Sequence, residues 1–110
     1  MRGMISAIIR TQCNADVSEC ASGLDALKVL PRHTFDLIVT DINMPDINGL
    51  ELIQFLRSNS AYAAIPLIIV STESSPKDRQ KGLSLGADDY IVKPFDPHQL
   101  GETINNRLKT

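Results

Sequence analysis

Phe35-Asp-Leu-Ile-Val-Thr-Asp41 is a short apolar run closed by a carboxylate, and turn-forming residues follow it at once in Ile42-Asn-Met-Pro-Asp-Ile-Asn-Gly49. A run of this length between such boundaries reads as a strand buried on both faces. Two more runs have the same form: Pro66-Leu-Ile-Ile-Val70 ends at Ser71, and Tyr90-Ile-Val92 ends at Lys93. In a parallel α/β sheet the carboxyl ends of the strands share one edge, so Asp41, Ser71 and Lys93 are expected to converge there. A carboxylate, a hydroxyl and an ammonium in one crevice suit the handling of a phosphoryl group.

Helical patterns fill the intervals. Met1, Met4, Ile5, Ile8 and Ile9 form a stripe that predicts a helix over 1–12. Residues 16–21 are short and mixed, and read as an edge strand around Val17. Ser22 caps a helix running to Arg32, with Asp25 at its third position and Leu24, Leu27 and Leu30 facing inward. The spacing predicts a further helix over 48–58 that buries Leu50, Ile53 and Leu56. Ser75-Pro76 is a cap followed by a first-turn proline, and Gly86 terminates the helix it starts. Asp96-Pro97 repeats that signal before a last helix carrying Leu100, Ile104 and Leu108. The order αβαβαβαβα predicts a doubly wound parallel α/β sheet of four strands and five helices in one domain over 1–110.

The 110 residues leave no room for a second core. Hydrophobic residues make up 43% of the chain, and its net charge of -2 gives no electrostatic reason to expect nucleic-acid binding. No apolar run approaches the ~20 residues that span a bilayer. Ser6 and Arg10 interrupt the apolar opening, so it reads as helix rather than signal peptide. Cys13 and Cys20 have neither metal-ligand nor disulfide-framework spacing, and a reducing cytoplasm is the expected location.

Each polar residue has a bland and a functional reading. Asp41 is either a turn residue or a carboxylate nucleophile that forms an acyl phosphate, and it can also hold Mg²⁺. A lysine at a strand end is usually a solvated charge, but Pro94 holds the chain at Lys93 away from helical geometry, and a cis Lys93–Pro94 bond is a candidate. Ser71 either begins a turn or donates to a phosphoryl oxygen, with Thr72 at the mouth of the site. Tyr90 is half-buried packing or a ring that moves with the state of the site.

Taken together, Asp36-Leu-Ile-Val-Thr-Asp-Ile-Asn-Met-Pro-Asp-Ile-Asn-Gly-Leu-Glu-Leu52, Pro66-Leu-Ile-Ile-Val-Ser71 and Gly86-Ala-Asp-Asp-Tyr-Ile-Val-Lys-Pro-Phe95 resemble the receiver domain of two-component response regulators, with its chemotaxis-protein-like, flavodoxin-like fold. The resemblance covers essentially the whole chain. It implies that Asp41 is the phosphoacceptor, taking phosphate from a sensor histidine kinase or phosphotransfer protein. It implies that Asn43 offers its backbone carbonyl to Mg²⁺ beside Asp41, and that Ser71, Thr72 and Lys93 contact the phosphoryl group. Ser71 and Tyr90 would be the switch residues, remodelling a face that an output protein reads.

One part of the pattern has no match. Receiver domains open with a strand ending in an acidic pair that holds Mg²⁺, and no residue of this chain matches that pair. The chain is therefore expected to be shortened at its amino end, to bind Mg²⁺ weakly, and to accept phosphate poorly. Asp46, Glu73, Asp88 and Asp89 read as solvated loop charges rather than substitutes. The sheet would have a gap between the Val17 and Asp41 strands, closed by direct pairing or by a dimer or strand swap, or else left open in a poorly folded chain. A phosphorylation-independent pseudo-receiver is the alternative function. A phosphatase of the haloacid-dehalogenase type is remote, because it needs a second aspartate where Asn43 stands.

Overall fold

In the central strand of the sheet every residue is buried, and its side chains alternate between two cores. The structure, a computed structural model, describes residues 2–13, 17–20, 22–32, 34–41, 48–72 and 75–108. Its elements are α1 (Arg2–Gln12), α2 (Gly23–Val29) running into a 3-10 turn (Leu30–Arg32), β1 (Ile38–Thr40), α3 (Gly49–Ser58), β2 (Leu67–Ser71), α4 (Pro76–Leu85), β3 (Asp89–Val92) and α5 (Pro97–Leu108). The three strands are parallel, in the order β1-β2-β3.

Leu67 and Ile69 of β2 point into a core with Leu30, Leu52, Ile53, Leu56, Ala87 and Tyr90. Ile68 and Val70 point the other way, into a core with Ile8, Ile9, Leu100 and Ile104. Helices α1 and α5 thus cover one face and α2, α3 and α4 the other. This period-two alternation in an all-apolar strand is what two covered faces demand.

The helix boundaries follow their caps. Ser22 accepts from the Asp25 N–H, and Ser75 accepts from the Asp78 N–H with Pro76 in the first turn. Asn48 and Glu51 exchange the two bonds of a capping box. Asp96 accepts from the His98 N–H at the start of α5. Gly86 ends α4 with φ +125°, a conformation that favours glycine. A Cβ there would also lie 2.7 Å from Arg57 Cγ. Gly86→Ala is expected to lower stability by about 2 kcal/mol, from backbone strain and the displaced arginine stem. The shift of the urea midpoint measures it.

Three expectations need correction. The sheet has three strands among the described residues, not four, because Val17–Cys20 is irregular and β1 does not pair with it. The segment is fixed by other means: Val17 packs into the α1–α5 core, and its carbonyl accepts from Arg10 Nη2 at 3.3 Å. Direct pairing of that segment with β1 is thus not how the sheet is arranged. Leu24 is 48% exposed rather than inward, since α2 is only two turns long and packs through Leu27 and the following Leu30. In α3 the buried leucines are Leu52 and Leu56, with Leu50 half-buried.

Candidate functional site

The parallel ladders bring Asp41, Ser71 and Lys93 to one edge. Thr40 is level with Ile69 across β1 and β2, and Ser71 is level with Val92 across β2 and β3. Asp41 is the first residue beyond β1, Ser71 the last of β2, and Lys93 the first beyond β3. The buried Thr40 hydroxyl donates to the Asp41 carbonyl at 3.0 Å, which fixes the exit of the chain from β1. The Lys93 N–H donates to the Ser71 carbonyl at 2.8 Å and carries the β2–β3 pairing one residue further. A cis peptide bond joins Lys93 to Pro94.

Lys93 Nζ donates to Asp41 Oδ2 at 2.5 Å. The lysine side chain is only 12% exposed and the aspartate 31%, so the ammonium lies under the carboxylate. A short charge-assisted contact of this kind fixes both groups. Ser71 is fully buried at the same edge, and Thr72 beside it is exposed. Tyr90 is 6% exposed, on the face of β3 that meets α3 and α4. Chemically, the edge offers an oxygen nucleophile with a cation held against it.

Of the other candidates, Asp88 and Asp89 are not brought there. Asn43, Asp46 and Glu73 lie outside the described residues. Asp88 and Asp89 precede or open β3, at the opposite end of the sheet, and neither is merely a solvated loop charge. Asp88 accepts from the Leu67 N–H at 2.8 Å and pairs with Arg57, while Asp89 accepts from Arg107 Nε at 2.7 Å. That bond raises the Arg107 pKa above its ordinary value. Cys13 is half-buried, its thiol donating to the Gly101 carbonyl at 3.6 Å, and burial pushes its pKa up, away from nucleophilic use.

The chain matches the response regulator receiver domain over residues 1–105. It belongs to that family. The receiver domain has five helices around a parallel sheet, the flavodoxin-like fold of CheY. It is similar to the chemotaxis protein CheY homolog of Campylobacter jejuni (strain 81-176), 35% identical over 111 residues that cover 100% of this chain and 85% of that protein. It is also similar to response regulator ArlR of Staphylococcus saprophyticus, 41% identical over 96 residues, 87% of this chain and 42% of ArlR. The domain spans about two fifths of the length of the longer regulators it matches. The structure of CheY4 from Vibrio cholerae superimposes with a TM-score of 0.87 at 34% identity, covering 97% of this chain and 88% of CheY4.

Receiver domains belong to two-component response regulators, are signalling modules, and interact with histidine kinases and output domains. They generally use Mg²⁺ for phosphorylation. Such a hard cation wants several oxygen ligands. Among the described residues no three Asp, Glu, His or Cys side chains form a metal-holding group, and the Asp41 carboxylate is engaged by Lys93. Among the described residues, too, no helix is long and apolar enough to cross a membrane.

Proposed function

We propose that this receiver domain accepts a phosphoryl group on Asp41 from a histidine kinase or phosphotransfer protein in the cytoplasm, and that it passes the signal on by changing its contacts with an output partner. The observation that carries this reading is the Lys93–Asp41 ion pair at the carboxyl edge of the sheet, beside the buried Ser71. In the transfer the donor's N–P bond breaks and a bond forms from an Asp41 carboxylate oxygen to phosphorus. The departing imidazole nitrogen keeps the electron pair of the broken bond. Lys93 then shifts from carboxylate to phosphoryl oxygens as a point charge, and Ser71 and Thr72 supply hydroxyl donors. Tyr90 and Ser71 form the switch.

Acceptance by this 110-residue chain is further proposed to be slow, with Mg²⁺ weakly held. The support is that among the described residues no three Asp, Glu, His or Cys side chains gather into a metal-holding group. Intact-mass measurement after prolonged incubation with acetyl phosphate and Mg²⁺ tests both parts. A hydroxylamine-labile phosphoryl adduct mapped to Asp41, gained slowly, is the expected result. Rapid stoichiometric gain would overturn only the slowness. No adduct at any Mg²⁺ concentration would overturn the acceptor reading and favour the alternative, a binding module that works without phosphorylation.

A further inference from the structure

Thr40, the last residue of β1, is polar yet only 8% exposed. Alternation along the strand puts its side chain on the face of Ile38, which packs against the core containing Leu67, Ile69 and Tyr90. The register agrees, for Thr40 is level with Ile69, and Ile69 with Tyr90. A hydroxyl enclosed among apolar neighbours must take a protein acceptor or lose the bonds that water would give it. Thr40 Oγ1 takes the Asp41 carbonyl, at 3.0 Å. Valine has the same shape, so packing alone does not call for the hydroxyl.

We infer that Thr40 is a positioning residue for phosphoryl transfer: its hydroxyl holds the Asp41 main chain so that the carboxylate is presented to Lys93 and to the incoming phosphorus in one orientation. Asp41 stands one residue past the last ladder pair of β1 and β2. Its amino side is held by the strand and its carbonyl side by the Thr40 hydroxyl, and these two restraints together set the direction of its Cβ. From that position Oδ2 meets Lys93 Nζ. A nucleophile held in attack geometry gains rate from orientation alone, and a misplacement of about 1 Å can cost roughly 100-fold. Only the kinetic meaning of this restraint rests on the proposed acceptor role of Asp41.

The test compares Thr40→Val and Thr40→Ser with the unsubstituted chain under acetyl phosphate and Mg²⁺. In that reaction a P–O bond of acetyl phosphate breaks, acetate leaves with the electron pair, and an Asp41 oxygen bonds to phosphorus. Thr40→Val is expected to slow adduct gain about tenfold at saturating acetyl phosphate with the half-saturating concentration unchanged, and Thr40→Ser to stay within about twofold of the unsubstituted chain. Thr40→Ala, which has more room and no hydroxyl, should be as slow as Thr40→Val. A valine variant as fast as the unsubstituted chain, or a serine variant as slow as valine, would overturn the inference. A second readout needs no transfer: the NMR resonances of Asp41 Cγ and Lys93 Nζ should move in Thr40→Val and return in Thr40→Ser, and resonances unmoved by valine would overturn the inference. If they move as expected but no adduct forms in any of these proteins, the positioning role stands and the acceptor reading of Asp41 fails.

Discussion

Arg57→Met is expected to lower folding stability by about 3 kcal/mol, a large share of the ~5–15 kcal/mol that holds a domain of this size together. The guanidinium at the end of α3 donates to three carbonyls: Gly86 at 3.0 and 2.9 Å, Ala63 at 3.1 Å and Ile65 at 2.8 Å. It also reaches Asp88 Oδ2 at 3.3 Å. The ion pair itself contributes little, since Asp88 is about a third exposed. The cost lies in the part-buried carbonyls of Gly86 and Ile65, each left without a donor at roughly 1–3 kcal/mol. The Ala63 bond is exposed, and water replaces the arginine there. Arg57→Lys recovers less than half, because an ammonium cannot serve three acceptors in the plane that a guanidinium spans. Urea unfolding followed by circular dichroism measures both variants. A loss below about 1 kcal/mol for Arg57→Met would show that water satisfies those carbonyls equally well.

The second large effect is chemical. Asp41→Asn is expected to remove the hydroxylamine-labile phosphoryl adduct, lowering incorporation at least ~100-fold, because an amide oxygen is a far poorer nucleophile than a carboxylate. Folding should change little, within about 1 kcal/mol, since the asparagine oxygen still accepts from Lys93 Nζ. The two readouts thus separate chemistry from stability. Asp36→Asn is the control: that carboxylate is exposed and precedes β1, at the other end of the strand, so incorporation should be unchanged. Intact-mass measurement reads both. Equal incorporation in Asp41→Asn and the unsubstituted chain would move the acceptor to another residue.

Much of the fold was legible because its signals are local. Leu67 to Val70 is continuously apolar, and only a strand covered on both faces can use such a run. Ser75, Pro76 and Gly86 mark the ends of α4 through their own backbone preferences. The edge that collects Asp41, Ser71 and Lys93 follows from parallel strands alone, and the Lys93–Asp41 contact realises it. What escaped depends on partners that have no signature. Arg57 binds carbonyls, which every residue possesses, so nothing in its neighbours' identities marks it. Asp88 read as a loop charge, yet its carboxylate receives the first N–H of β2. Val17 has strand propensity, but pairing belongs to two segments at once, and its carbonyl is taken by Arg10. Leu24 fits a helical stripe whose helix is too short to press it on the core.

The sheet order has a temporal consequence. Among the described residues, Ser71 belongs to the central strand, paired on both sides and sealed from water, whereas the strands that Asp41 and Lys93 follow are each paired on one side. Opening free energies within a native protein scale with such local contact density. The strand that carries the hydroxyl is therefore expected to open more slowly than the strands that lead to the carboxylate and the ammonium. A ligand arriving there meets a hydroxyl seated in the central strand and a carboxylate and ammonium held to each other.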